Sequence, residues 1–242
     1  MIQPKISVVT VCYNAAETIE KTMLSVINQT YENIEYIIID GGSTDGTVDI
    51  IKKYADRIAY WVSEPDKGIY DAMNKGIKVA TGEWINFMNA GDSYYNEKSI
   101  KEIVQSFTVM DAVYYGDAWV NSIDKKYWGK FSTLKLAIGN ICHQALFYPS
   151  SILKRKLYDT DYCIFADYVL NLKLWNTIKF NYIPQIVCLY DFGGLSTTRK
   201  ITDIKFAADK KKIIIKACGI KNYSIGVIYR FCLKVKNLIN GI

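Results

Sequence analysis

Residues 37–47, IIIDGGSTDGT, run three β-branched side chains into a carboxylate, a glycine-rich turn and a pair of hydroxyls. β-Branched residues favour a pleated strand, glycine supplies the turn, and Ser43 or Thr44 is placed to cap a following helix. The segment reads as strand, turn, helix. Outward from it the rhythm repeats: strands over 5–12, 34–40, 58–62 and 84–88 alternate with helices over 16–28, 47–54 and 69–80. That alternation predicts an α/β fold, a Rossmann-like, mostly parallel central sheet with flanking helices. In such open sheets ligands bind outside the carboxyl ends of the strands. Tyr13 with Asn14, Asp40, Glu64 with Asp66, and the segment from Asn89 to Asp92 occupy those places.

Beyond Ser99 the alternation gives way to a helix, a strand over 112–115, and an aromatic stretch through Trp119, Tyr127 and Trp128 that suggests a hairpin. A buried strand over 139–148, a helix over 166–175 and a strand over 182–192 follow. Two helical stretches are expected over 201–242. The second carries apolar positions at Ile225, Ile228, Cys232, Val235 and Ile239 beside Arg230, Lys234 and Lys236. Such a stripe suits the interface of an anionic membrane, or packs onto the main domain.

With 242 residues, 50% of them apolar, the chain can bury one substantial core, which implies one domain with a terminal appendage. The net charge of +6 is concentrated after Arg199, where Asp203 and Asp209 are the only acids. That imbalance points to a negatively charged partner for the C-terminal segment. Nucleic acid fits poorly, because no reading motif accompanies the basic run. The six scattered cysteines lack metal-ligand spacing and read as reduced cytosolic thiols. No charged-then-apolar leader opens the chain, and no apolar run nears the roughly 20 residues that span a bilayer. The expectation is a protein neither secreted nor transmembrane.

Three groups carry candidate chemistry. Asp40 stands at a strand end, where it caps its own turn or accepts hydrogen bonds from a ribose or base. The charged turn EPDKGIYDAMNKG at residues 64–76 brings Asp66, Lys67 and first-turn amides to a helix N-terminus, a ready site for a diphosphate or simply a solvated loop. At residues 87–92, FMNAGD, an apolar strand ends abruptly in an amide and a carboxylate. Hard cations such as Mn2+ or Mg2+ take one or two carboxylates plus substrate phosphates, a task for which Asp92 is suited; the alternative is that Asp92 caps its own turn.

These groups, in this order with the opening SVVTVCYNAAETIEKTMLSVINQTY, resemble glycosyltransferase family 2 members of the GT-A fold, particularly the branch related to colanic-acid and O-antigen biosynthesis. The resemblance spans about residues 5–200. It implies a catalytic domain over 1–200, with a nucleotide-binding half to about residue 95 and an acceptor half after it, followed by the basic helical segment 201–242. It implies that Thr10, Tyr13 and Asp40 serve the nucleoside, that Asp66 and Lys67 lie near the nucleotide and diphosphate, and that Asp92 holds a divalent metal. Many members carry aspartates where this chain has Asn89 and Gly91, and an arginine where it has Met73.

An inverting transfer needs a base that takes the acceptor proton as the hydroxyl attacks from the face opposite the leaving diphosphate. Asp167, in FADY, resembles the second acid of the family's pair, with Ala166 in place of the first; the alternative role is a helix cap. The sole histidine, His143, with Gln144 resembles an HQ pair beside the acceptor site and is an acceptor or donor-sugar contact, or a satisfied core residue. Ser196 and Arg199, in GGLSTTR, resemble a segment that closes over the donor diphosphate. The implied activity is transfer of a hexose or N-acetylhexosamine from a nucleotide-diphosphate sugar, UDP-sugar foremost, to a lipid-linked glycan at the inner face of the cell membrane. A non-catalytic sugar-nucleotide-binding or scaffold protein is the rival reading. A nucleotidyltransferase would need a basic glycine-rich loop after the first strand, which CYNAAETIE does not supply.

Overall fold

The computed structural model describes residues 3–190 and 202–239. Four parallel strands form its first half: β1 (Ile6–Cys12), β2 (Ile34–Asp40), β3 (Tyr60–Ser63) and β4 (Trp84–Phe87). Every residue of β1 and β4 is buried, as expected of central strands covered on both faces. Helices α1 (Ile19–Ile27), α2 (Thr47–Lys53) and α3 (Ile69–Val79) make the crossovers. α3 comes close to the sheet at Gly76, where a Cβ would overlap Val9 Cγ1 of β1.

The second half adds β5 (Ser93–Tyr94), α4 (Ser99–Val104), β6 (Val113–Val120), β7 (Lys125–Tyr127), α5 (Thr133–Ile138), β8 (Leu146–Pro149), α6 (Ser150–Leu153), α7 (Ala166–Leu174) and β9 (Phe180–Tyr190). One sheet runs in the order β3-β2-β1-β4-β8-β6-β9-β5, with β7 paired to β6 as the expected hairpin. β8 lies antiparallel to both β4 and β6. β2 and β4 flank β1 on opposite sides, so the winding reverses between β1 and β4. That is the switch point, outside whose carboxyl edge sheets of this kind bind ligands.

One expected element differs. The strand anticipated over 139–148 begins only at Leu146, after an irregular segment and a 3-10 turn over His143–Ala145. The polar side chains of Asn140, His143 and Gln144 turn toward partners on other elements. Asn86 Nδ2 donates to the carbonyls of Gln144 and Leu146 at 2.9 and 2.8 Å, which satisfies backbone that an extended ladder would otherwise pair.

The C-terminal helix α8 (Ile204–Ile239) is broken at Gly219, whose φ of 81° and ψ of 156° are non-helical, giving the two expected helical stretches. Asp203 caps its start by accepting from Phe206 N at 2.8 Å, and its other oxygen accepts from the amides of Ile164 and Phe165. Phe206, Ile214 and Cys218 of the first stretch join the main core. The second stretch packs through Gly226 and Arg230 against α5, while Ile225, Ile228, Cys232 and Val235 are exposed.

Candidate active site

The loops after β1 and β2 interlock. Asn14, at φ 46°, donates its amide to Ser43 Oγ and accepts from Thr44 N through its side chain. Ala15 N and Ala16 N donate to Thr47 and Asp45. Within this knot the Asp40 carboxylate is fully buried and accepts from Gly42 N, Ser43 N, Ser43 Oγ, Ser63 Oγ and Cys12 Sγ. Burial alone would raise its pKa, but these hydrogen bonds hold it below the usual carboxylate range. Burial and the neighbouring Asp40 charge push the Cys12 thiol up. Asp40 therefore shapes the turn from beneath the cleft, and its lone pairs are occupied there. Thr10 is likewise fully buried, donating to Met88 O at 2.8 Å and lying 3.0 Å from the Tyr36 hydroxyl, so it joins β1 to the end of β4.

What faces outward is Tyr13, 65% exposed. A Cβ at Gly41 would overlap Asp66 Oδ2 and lie 3.3 Å from the Tyr13 ring, so Gly41 is the floor between these two side chains. Asp66 Oδ1 accepts from Gly68 N at 2.8 Å, and Lys67 N donates to Asp71 at 3.1 Å, which satisfies amides at the start of α3. Lys67 is exposed. Met73 is buried in the core.

Asn89 and Asp92 belong to a turn pinned from two sides. Met88 N and Ala90 N donate to the carbonyls of Val9 and Val11, and Thr22 of α1 takes Gly91 N and donates to Asp92 O. Gly91 adopts φ 101°, a conformation that favours glycine. Asp92 Oδ2 accepts from Gln144 Nε2 at 2.6 Å, and Gln144 is almost wholly buried. Asn89 Nδ2 lies 3.0 Å from His143 Nε2, and Asn89 Oδ1 is buried with no hydrogen-bond partner.

From the other side comes Asp167, in the first turn of α7. Its Oδ1 accepts from the Tyr70 hydroxyl at 2.9 Å and its Oδ2 from Asn140 Nδ2 at 2.7 Å, with His143 Nδ1 3.8 Å away. Asn140 is steadied by Asn171, whose own amide oxygen takes the Tyr148 hydroxyl. The Tyr70 proton is shared with Ile164 O at 2.6 Å; burial, then the Asp167 charge, raises that phenol's pKa well above its ordinary value. Segment 140–144 thus touches both acids, and the His143 ring spans the gap between the Asn89 turn and Asp167.

Asn89, Asp92, His143, Gln144 and Asp167 are thereby brought together, and Tyr13, Asp66 and Gly41 form a neighbouring group. Ser196 and Arg199 lie outside the described residues. Tyr70 and Asn140 were not singled out from sequence. The usable signal for Asn140 was an amide inside an apolar run, since a buried amide must find partners.

A mixed sheet whose winding reverses between β1 and β4, extended by antiparallel β8 and covered by helices, is the fold of GT-A glycosyltransferases. Solved structures show the same fold. A crystal structure of S. aureus TarS 1-349 in complex with UDP superposes with a TM-score of 0.65 at 19% identity, covering 77% of this chain and 60% of that one. The mannosyltransferase PcManGT from Pyrobaculum calidifontis, in complex with GDP-Man and Mn2+, gives 0.65 at 16% identity, covering 100% and 80%. The chain belongs to glycosyltransferase family 2, whose model (Glycosyl transferase family 2) matches residues 7–173. It is 32% identical over 217 residues to a PGL/p-HBAD biosynthesis glycosyltransferase of Mycobacterium bovis, covering 85% of this chain and 84% of the relative.

Proposed function

We propose that this glycosyltransferase is an inverting enzyme that moves a hexose or N-acetylhexosamine from a UDP-sugar to a hydroxyl of a lipid-linked glycan, in surface polysaccharide assembly at the inner face of the cell membrane. The observation that carries the reading is the bridge of His143 and its neighbours between Asn89 and Asp92 on one side and Asp167 on the other. An inverting displacement needs a donor-phosphate site and a base on opposite sides of the reacting sugar, and one segment touches the two acids that would supply them.

In this reading Asp167 accepts the proton of the attacking hydroxyl, with Tyr70 and Asn140 fixing its orientation. Tyr13 offers an exposed ring for the base, and Asp66 and Lys67 lie toward the nucleotide and diphosphate; Thr10 and Asp40 hold the loops beneath. His143 faces the sugars. No cluster of three His, Cys, Asp or Glu able to hold a metal occurs among the described residues. The donor set still fits Mn2+ or Mg2+: Asp92 is a hard carboxylate, Asn89 Oδ1 is a buried oxygen without a partner, and the donor phosphates complete such a site. When bound, the cation would neutralise charge on the leaving diphosphate. The complexes of TarS with UDP and of PcManGT with GDP-Man and Mn2+ support a nucleotide donor and a divalent ion.

The test is turnover of a panel of UDP-, GDP- and TDP-sugars against a synthetic lipid-diphosphate-sugar acceptor, with and without Mn2+, in wild type and Asp167→Asn. Metal-dependent transfer from one donor, reduced about 10²- to 10⁴-fold in the variant, is expected. Equal activity in the variant removes Asp167 from the mechanism. Donor binding without transfer or hydrolysis would favour a non-catalytic binding protein.

A further inference from the structure

The second stretch of α8, residues 220–239, is docked by one face among its described side chains. Gly226 lets it approach α5, where a Cβ would stand 3.2 Å from Ala137 O. Arg230 Nη1 donates to the carbonyls of Ala137 and Ile138 at 3.1 and 3.2 Å, a cation closing the carboxyl end of α5. Tyr223 packs on the core beside them. The opposite face is apolar and open: Ile220 is 69%, Ile228 62% and Phe231 67% exposed, with Val235 continuing the line. These positions recur at helical spacing. Lys221 and Lys236 are exposed along the same stretch, and after Asp209 the chain contains eight lysines and arginines and no acidic residue.

We infer that residues 220–239 form a rigid ledge that lies in the interfacial plane of an anionic bilayer, its apolar line sunk among the acyl chains and its lysines on the headgroups. No helix among the described residues is long and apolar enough to cross a membrane, so an in-plane helix is the geometry open to this stretch. A second copy of the chain is the poorer occupant. A two-fold contact through this face would set its cations against themselves with no acid in the stretch to offset them, whereas an anionic surface neutralises them. Placement adds purpose: α5, on which the ledge rests, ends at Ile138, two residues before Asn140 and the segment that holds Asp167 and Asp92. The inference deepens the lipid-linked acceptor proposed above, but it is measured without turnover, so either can fail alone.

The experiment is co-sedimentation of the full chain with vesicles of phosphatidylcholine alone or mixed with phosphatidylglycerol. The wild type is expected to partition onto the mixed vesicles and little onto the neutral ones. Ile228→Ser with Phe231→Ser should weaken that partition about tenfold or more, and Lys221→Glu about fivefold, with the latter difference shrinking at high salt. Thermal melting should be unchanged, because these side chains are exposed. Failure of the wild type to bind mixed vesicles, or equal binding to both compositions, overturns the proposal. So does sedimentation-velocity evidence that the serine pair turns a dimer into a monomer, which would give the face to a second copy.

Discussion

Replacing Gln144 by Met keeps the length and volume of a buried side chain but deletes the donor that Asp92 Oδ2 receives at 2.6 Å. A hydrogen bond to an ionised group contributes about 1.5–3 kcal/mol. Loss of a residue that orients a metal ligand typically weakens affinity about 10- to 100-fold, which is about 1.4–2.7 kcal/mol. The two routes agree, so Gln144→Met should lower Mn2+ affinity by one to two orders of magnitude. The assay is titration of the Mn2+ electron paramagnetic resonance signal with saturating UDP, run beside Asp92→Asn and with thermal melting to confirm folding. If Asp92→Asn abolishes binding while Gln144→Met leaves it within about twofold, the positioning argument is refuted. If Asp92→Asn also binds normally, Asp92 is not the ligand.

Gly41→Ala places a methyl against Asp66 Oδ2 and the Tyr13 ring; because Asp66 can swing away, melting should change by less than about 1 kcal/mol while calorimetric affinity for UDP falls. Tyr70→Phe removes one of two donors to the buried Asp167 carboxylate, and chemical denaturation should register a loss of about 1.5–3 kcal/mol together with reduced kcat at little-changed donor KM. Glu35 lies far from these residues at the opposite sheet edge, holding Ser7, Thr81 and Lys5. Burial alone would raise its pKa, but those hydrogen bonds lower it to about 2 from 4.5. Its contribution, about 3 kcal/mol, is therefore complete above pH 4.5 and lost as pH falls through about 2. Glu35→Gln should flatten that acid limb of the stability curve without altering donor turnover.

The first half of the fold was legible because its parallel strands are rich in β-branched and other apolar residues and are closed by turn chemistry. Residues 5–12, 34–40 and 84–88 announce themselves in this way and match β1, β2 and β4 within a residue or so. Residues 139–148 were not, because Ile141, Cys142 and Ala145 to Tyr148 read as a strand while the decisive amides and imidazole are spent on tertiary partners. The surroundings of Asp40 and Thr10 were also beyond reach: a strand-end carboxylate looks the same in sequence whether or not, as here, five donors of its own fold surround it. Side-chain direction on α8 was half visible. The stripe was apparent, but only the contacts of Gly226 and Arg230 show that the helix docks by its other face.

The meeting of Asp92 with segment 140–144 follows from register rather than from any motif. β8 pairs antiparallel with β4, Asn86 against Phe147 and Trp84 against Pro149. The residues entering β8 must therefore emerge beside the residues leaving β4, at the sheet edge where the switch point lies. A parallel β8 would send Gln144 and His143 to the far edge, a strand length from Asp92. The reversal of one strand direction is thus what lets a segment of the second half reach a carboxylate of the first. It also explains why four motifs could each be recognised in sequence while the contact that unites them could not.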